Sequence, residues 1–357
     1  MRVLIEVMRV EFGGVATWAE NLLRTWPSVF PDDELHVLST PAQLAALPSG
    51  GYVPHAIATP RPANLTRPLV QSSALPRLAR RLGVDAVLAA QPSTSLRHPG
   101  PPFVVMVHDL RHEVLPHQFS RARLALRRVN YSRSYRIADG FVAVSQRTAD
   151  DLHRLHPQLT QPVRVVHHGA DHVDRWPRGA GADRFAIAFG HHTNKNVDLA
   201  VEAWARMHAA GVAGLPPLRV LGLSGEGRAA LTAQVVARGL TGVVVASPYL
   251  PDDEFVRTMA DAALVVFPSD FEGFGLPVVE AMRLRIPVVV GPDPAVLEVA
   301  GDYAFVMSEW SAGALAEATG RALRVTPDEL DAAARHVAGT TWAAAVTGTR
   351  DALAALV

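Results

Sequence analysis

Cysteine is absent from the 357-residue chain. That excludes a disulfide framework and thiolate chemistry, and it fits a reducing compartment. Lysine is almost absent as well: of the 34 basic side chains, 33 are arginines and one is a lysine, Lys195. In this Arg-rich, Ala-rich composition arginine is expected wherever only charge matters. A lone lysine then marks a candidate for a site that needs a compact ammonium, with chance survival as the alternative. Net charge is missing too, with 34 basic against 34 acidic side chains, so a nucleic-acid binder or an acidic tail is not indicated. No stretch approaches the ~18–20 apolar residues of a membrane span. The opening MRVLIEVM is too short an apolar run for a signal-peptide core and has no cleavage-like site after it. These absences lead to the expectation of a cytoplasmic protein whose membrane contact is peripheral.

The zero net charge hides an asymmetry. Residues 1–178 hold 21 Arg against 14 Asp+Glu, whereas residues 179–357 hold 13 Lys+Arg against 20 Asp+Glu. The basic half is expected to attract an anionic acceptor or an anionic surface. The alternative is that the two faces complement each other.

The length is too great for one typical core and suggests two domains. Strands alternate with helices throughout, as in parallel α/β proteins. In the first half the spacing predicts strands over Arg2–Met8, Glu34–Ser39, Ala86–Ala89, Phe103–Val107, Gly140–Val144 and Val163–Val166. Helices are predicted from Val15 to Trp26, after the Gly13-Gly14 loop, and over Ser120–Ile137. Trp176–Gly181 reads as a linker, after which the alternation restarts. The second set of strands is Phe185–Phe189, Leu218–Leu221, Val243–Ala246, Ala263–Phe267 and Pro287–Val290, with helices between. The expected domains are 1–176 and 177–341, with a last helix over 342–357 returning to the first. Two such domains leave a cleft facing the carboxyl ends of both sheets, where open α/β folds bind ligands.

The residues that carry chemistry lie in FPSDFEGFGLPVVEAMRLRIPVVVG, residues 267–291. The order is strand, glycine-rich loop, helix, strand. Pro277 suits the first helical turn. Gly273 and Gly275 allow backbone N–H groups to approach a ligand, and free N–H groups at a helix start attract anions. Glu272 and Glu280 flank this loop. A carboxylate beside a phosphate repels it, so sugar and ribose hydroxyls, which donate to carboxylates, are the better partners. Glutamate placed at a helix start for dipole reasons explains Glu280 in part.

Glu272-Gly-Phe-Gly-Leu-Pro-x-x-Glu280 resembles the E-x7-E signature of family-4 retaining glycosyltransferases with the GT-B fold, two Rossmann-like α/β domains with parallel sheets facing an interdomain cleft. The resemblance implies that Glu272 borders the transferred sugar. It puts the amides of Gly273, Phe274, Gly275 and Leu276 against sugar and phosphates, and Glu280 on the nucleotide ribose. Gly13-Gly14 resembles the family's N-terminal glycine loop at the donor phosphate, although a tight turn explains the pair equally well. Val107-His108-Asp109-Leu110 is similar to the His-Asp-Leu segment of mannosyltransferase-like members, where the His faces the donor sugar. Val142–Ser145 and Val166–Asp171 resemble the family's strand-to-Ser element and hinge. Phe189-Gly190-His191-His192-Thr193-Asn194-Lys195-Asn196 resembles the donor diphosphate segment, with Lys195 neutralising the leaving group. Many members carry an arginine after that glycine; here the place holds His191 or His192.

The implied activity is transfer of a hexose, mannose-like with GDP-mannose favoured, from a nucleoside-diphosphate sugar to a glycan, lipid-linked or small-molecule acceptor. No cofactor and no metal are expected. Asp252-Asp253-Glu254 reads as helix capping rather than as a metal-binding pair. The arginines Arg121, Arg123, Arg127, Arg128, Arg133 and Arg136 lie on one helix. They read either as a solvated face or as a contact with anionic lipid or a polyprenyl-diphosphate acceptor. A catalytically weak relative that binds nucleotide sugar as a regulatory subunit is the alternative function. A dinucleotide oxidoreductase is disfavoured, because Glu11–Ala16 lacks G-x-G-x-x-G.

Overall fold

The computed structural model describes residues 1–8, 13–60, 63–177 and 184–357. Of the expected linker Trp176–Gly181, residues 178–181 therefore lie outside the described residues. The chain divides into two compact units, Met1–Gly169 with Thr340–Val357, and Ala170–Gly339. The crossing falls between Gly169 and Ala170, several residues before the sequence-based boundary at Trp176. The segment after it forms a 3-10 turn, Asp171–Arg175, bonded to residues of the second unit by His172 and Asp174.

In the first unit the order is β1 (Arg2–Glu6), α1 (Gly14–Val29), β2 (Glu34–Ser39), α2 (Pro41–Ala46), β3 (Val53–Ala56), α3 (Ala63–Leu82), β4 (Ala86–Ala89) and β5 (Phe103–Val107). There follow α4 (Arg111–Val114), α5 (Arg121–Ile137), β6 (Gly140–Ala143), α6 (Gln146–Leu155) and β7 (Val163–Val165). All strand pairs are parallel, in the order β3-β2-β1-β4-β5-β6-β7. The central strands β4 and β5 are buried along their whole length. This explains their continuous apolar sequences, because helices cover both faces of a parallel sheet.

The second unit repeats the plan with β8 (Phe185–Phe189), α7 (Val197–Ala209), β9 (Leu218–Leu223), α8 (Gly225–Ala237), β10 (Val244–Pro248), α9 (Asp252–Ala260) and β11 (Ala262–Phe267). Then come α10 (Leu276–Arg283), β12 (Val288–Val290), α11 (Pro294–Ala300), β13 (Phe305–Val306), α12 (Ala312–Ala322) and α13 (Pro327–His336). Its sheet, also parallel throughout, runs β10-β9-β8-β11-β12-β13. The core centres on Trp204, whose indole N–H donates to the Pro216 carbonyl at 2.8 Å. Capping at Asp252–Glu254 needs correction: Pro251 occupies the N-cap of α9, and the acids fill its first turn, where they complement the helix dipole.

The last helix, α14 (Trp342–Ala354), belongs to the first unit, with Trp342, Val346 and Leu353 buried. Thr341 caps it through a bond from Ala344 N. Arg350 grips Asp33 with two hydrogen bonds of 2.9 and 3.2 Å. Burial acts to raise the Asp33 pKa, but bonds from Arg350, the N-terminal ammonium and Trp26 outweigh it and hold the carboxyl below its usual range.

Candidate active site

In each sheet the connections reverse direction beside the first strand, between β1 and β4 and between β8 and β11. Such switch points leave a crevice at the carboxyl ends of the strands. The expected site residues follow β1 and β5 in the first unit, and β8 and β11 in the second.

In the first unit Gly13 caps α1 in a positive-φ conformation, φ +72°, and Gly14 is the first helical residue. The first turn of α1 holds no acid, so no side chain there offsets the positive end of the helix. His108 leaves the end of β5, and its Nε2 lies 2.9 Å from the Ala90 carbonyl. A carbonyl oxygen only accepts, so Nε2 carries the proton and Nδ1 holds the lone pair. Trp18 meets the His108 ring edge-on at 5.4 Å, His168 follows at 5.5 Å, and Trp342 stacks on His168 at 6.0 Å. Burial pushes the His108 pKa down to about 4, against the weaker opposing effects of Ala90 and Asp109. His168 is driven well below its usual range by burial and by His108. The imidazole of His108 is therefore neutral at pH 7.

At the end of β1 lies a polar cluster that sequence reasoning missed. Glu6 is fully buried, accepting from Met8 N at 2.8 Å and from Thr94 Oγ1 at 2.9 Å. Burial raises its pKa and the Arg67 cation opposes the rise. Arg67 and Gln91 both donate to the Met8 carbonyl, at 3.2 and 2.9 Å. A lone acid ending an apolar strand was the only signal of this anchor.

In the second unit the chain leaves β8 at Gly190, whose N–H donates to the Leu221 carbonyl at 2.7 Å. His191 and His192 are exposed, with ring centres 4.8 Å apart. A 3-10 turn, Thr193–Lys195, then buries Asn194 and Lys195. Asn194 Nδ2 donates to the Phe271 carbonyl at 2.8 Å and to Glu272 Oε1 at 3.2 Å. Lys195 Nζ lies 2.6 Å from the same Glu272 oxygen and 4.1 Å from the Phe267 ring centre. Two segments 77 residues apart thus meet through the chain's single lysine.

The loop after β11 is held from its other side. Asp293 Oδ2 accepts from Glu272 N at 3.2 Å, while its Oδ1 caps α11 through Ala295 N and Val296 N. Asp293-Pro294, an N-cap followed by proline, was the readable sign of that helix start. Gly275 caps α10 with φ +93°, and a Cβ there would stand 3.1 Å from Val296. The turn therefore needs glycine for its conformation and for its space. Phe274 and Leu276 are buried and anchor the loop, and Gly273 is half-buried between them and Glu272. Glu280 lies one turn into α10, buried, with Oε1 3.1 Å from His172 Nε2. Lys195, Asn194 and Glu272 therefore converge, while Glu280 is held separately by His172, a partner the sequence did not single out. Among the described residues, no group of three or more His, Asp or Glu side chains is placed to hold a metal ion.

Residues 12–173 match the Glycosyltransferase Family 4 profile, and residues 181–336 match Glycosyl transferases group 1. Over 74 residues the chain is 40% identical to the O-antigen chain mannosyltransferase B of Escherichia coli, covering 20% of this chain and 19% of that protein. Over 63 residues it is 40% identical to the MMP alpha-(1->4)-mannosyltransferase of Mycolicibacterium hassiacum, covering 18% and 15%. The matches thus span less than a fifth of these curated relatives. Among solved structures, Anabaena HepE in complex with UDP and glucose superimposes with a TM-score of 0.74 at 17% identity, covering all of both chains. That likeness shows the GT-B fold. With the two profiles together spanning nearly the whole chain, the protein belongs to the family-4, group 1 glycosyltransferases.

Proposed function

We propose that the protein is a retaining hexosyltransferase that moves a mannose-like hexose from a nucleoside-diphosphate sugar to a glycan, lipid-linked or small-molecule acceptor, without a metal ion. The observation that carries the reading is the pair of buried Lys195 and half-buried Glu272 at 2.6 Å, on loops at the switch point of the second sheet. An ammonium has three donors and Glu272 uses one. The others serve the donor diphosphate, together with loop amides after Gly190 and from Gly273 to Leu276. His192 and Asn194 border the diphosphate, and the amides of Gly13 and Gly14 are of the kind that suits a phosphate. Glu272 takes hydroxyls of the transferred sugar and Glu280 those of the ribose. His108, neutral with Nε2 bound to Ala90, accepts a donor-sugar hydroxyl at Nδ1.

In the proposed step the bond between sugar C1 and the phosphate oxygen breaks, and its electron pair leaves with the diphosphate. The acceptor oxygen bonds to C1 on the same face and its proton passes to the leaving phosphate oxygen. Negative charge grows on the leaving group, where Lys195 and fixed amides stabilise it in place of a metal. The mannose preference is supported by the His108-Asp109-Leu110 segment and by the two local mannosyltransferase matches. The decisive assay follows nucleoside diphosphate release from GDP-mannose and UDP-glucose in the presence of EDTA. Turnover of either donor that persists in EDTA supports the reading. Turnover that vanishes and returns only with Mg²⁺ or Mn²⁺ sinks the metal-free mechanism.

We also propose peripheral contact with anionic lipid through α5, which carries six arginines and no acid. Arg111, Arg123 and Arg127 each lie 5.2–5.4 Å from the Phe119 ring centre. No helix among the described residues is long and apolar enough to cross a membrane.

A further inference from the structure

Glu280 shares its helix with a second residue bonded to the turn that opens the second unit. His172 Nε2 lies 3.1 Å from Glu280 Oε1; Glu280 is buried and His172 half-buried. One turn further along α10, Arg283 forms a two-pronged pair with Asp174, Nε to Oδ1 at 2.7 Å and Nη2 to Oδ2 at 2.8 Å. Residues three apart on a helix share a face, so the Asp171–Arg175 turn is fastened to one face of α10 at two points. Arg283 Nη1 also donates to the Val337 and Ala338 carbonyls, at 3.2 and 3.1 Å. The ring of Trp176 closes over His172 edge-on, 5.4 Å between centres. The imidazole is thus fixed by a turn that is itself locked, while the carboxylate it meets stands on a short helix.

We propose that His172 is the positioning residue for Glu280 and makes the site select ribose; this rests on the reading of Glu280 as the ribose partner. A carboxylate offers about four lone-pair sites. Nε2–H fills one on Oε1 and fixes the side-chain rotamer, leaving Oε2 and the remaining Oε1 site for two ribose hydroxyls. Without His172 the carboxylate turns between rotamers and meets the diol only part of the time. The Asp174–Arg283 pair holds the imidazole at the required distance, as a supporting shell does for contact residues.

The inference predicts a loss confined to the ribose. Calorimetric titration with UDP and with GDP, each beside its 2′,3′-dideoxy counterpart, separates this from general loosening. In His172→Ala the affinity for the ribonucleotide should fall by about tenfold, the scale of one hydrogen bond to a charged group. The dideoxy affinity should stay at the wild-type value. His172→Gln, whose amide N–H replaces Nε2–H, should recover most of the loss. In a Glu280→Ala background His172→Ala should cost nothing further, because the two act as one unit. Equal losses for ribo- and dideoxynucleotide, or no loss at all, overturn the inference. Wild-type protein that binds neither UDP nor GDP overturns the proposed function itself, and wild-type binding blind to the ribose hydroxyls overturns the role of Glu280.

Discussion

His108 and His112 are both pushed down to about 4, His108 by burial and His112 by burial and then by the Arg127 cation. An unfolded chain protonates both near pH 6.5. Between about 6.5 and about 4 the unfolded state therefore binds more protons, and stability rises with pH. The stability is complete above the unfolded value and is lost as pH falls towards the folded one. Glu6, raised by burial, acts in the opposite sense. Urea denaturation across that range should show the slope, and His112→Phe should reduce it by up to about 1.4 kcal/mol per pH unit. An unchanged slope would mean that His112 charges in the folded protein.

At the same scale, the lone Lys195 and the spaced Glu272 and Glu280 could be read from the sequence, because each stands out by count or motif. The bonds that His172 makes to Glu280 and Asp293 to Glu272 could not. The partners lie 108 and 21 residues apart in the chain, and only folding brings them together.

The strands with continuous apolar runs were legible, since burial on both faces leaves no polar alternation to mislead. The edge strand β3 was not: Pro54 interrupts it, and most of its residues are exposed, a pattern tolerated only at a sheet edge. Pro68 and Pro76 hid α3 in the same way. The final helix was legible through Trp342, although most of its remaining apolar residues are alanines. Trp342 is 2% exposed and stacks on His168, and it is the largest buried side chain of α14. Gly169 passes so close to the Thr341–Trp342 backbone that a Cβ there has no room. Trp342→Ala should destabilise the first unit by about 3–5 kcal/mol, as large aromatic truncations in packed cores do. A loss below about 1 kcal/mol in denaturant titration would show that α14 is not integral to that unit.

For the whole molecule, the formal charge of zero conceals a basic first half and an acidic second half. The acid-free helix α5 concentrates the basic charge, and Arg121, Arg123, Arg128, Arg133 and Arg136 are exposed. The protein should co-sediment with vesicles containing anionic phospholipid and not with neutral ones. Binding should weaken at high salt, because the attraction is screened. Reversal of Arg128, Arg133 and Arg136 to Glu should abolish it, and retention by that triple variant would remove α5 from the contact.

The central claim is that a compact ammonium carries the leaving diphosphate. Arginine serves everywhere else in this chain that a cation is needed, yet this position keeps lysine. Its Nζ is enclosed between Glu272 at 2.6 Å and the Phe267 ring at 4.1 Å, a space that suits a point charge better than a planar fork. Interactions that strengthen towards the transition state act on kcat. The most direct measurement is steady-state donor turnover by correctly folded Lys195→Arg. The account predicts a fall in kcat of roughly 10²–10³, and a kcat near that of the wild type would contradict it.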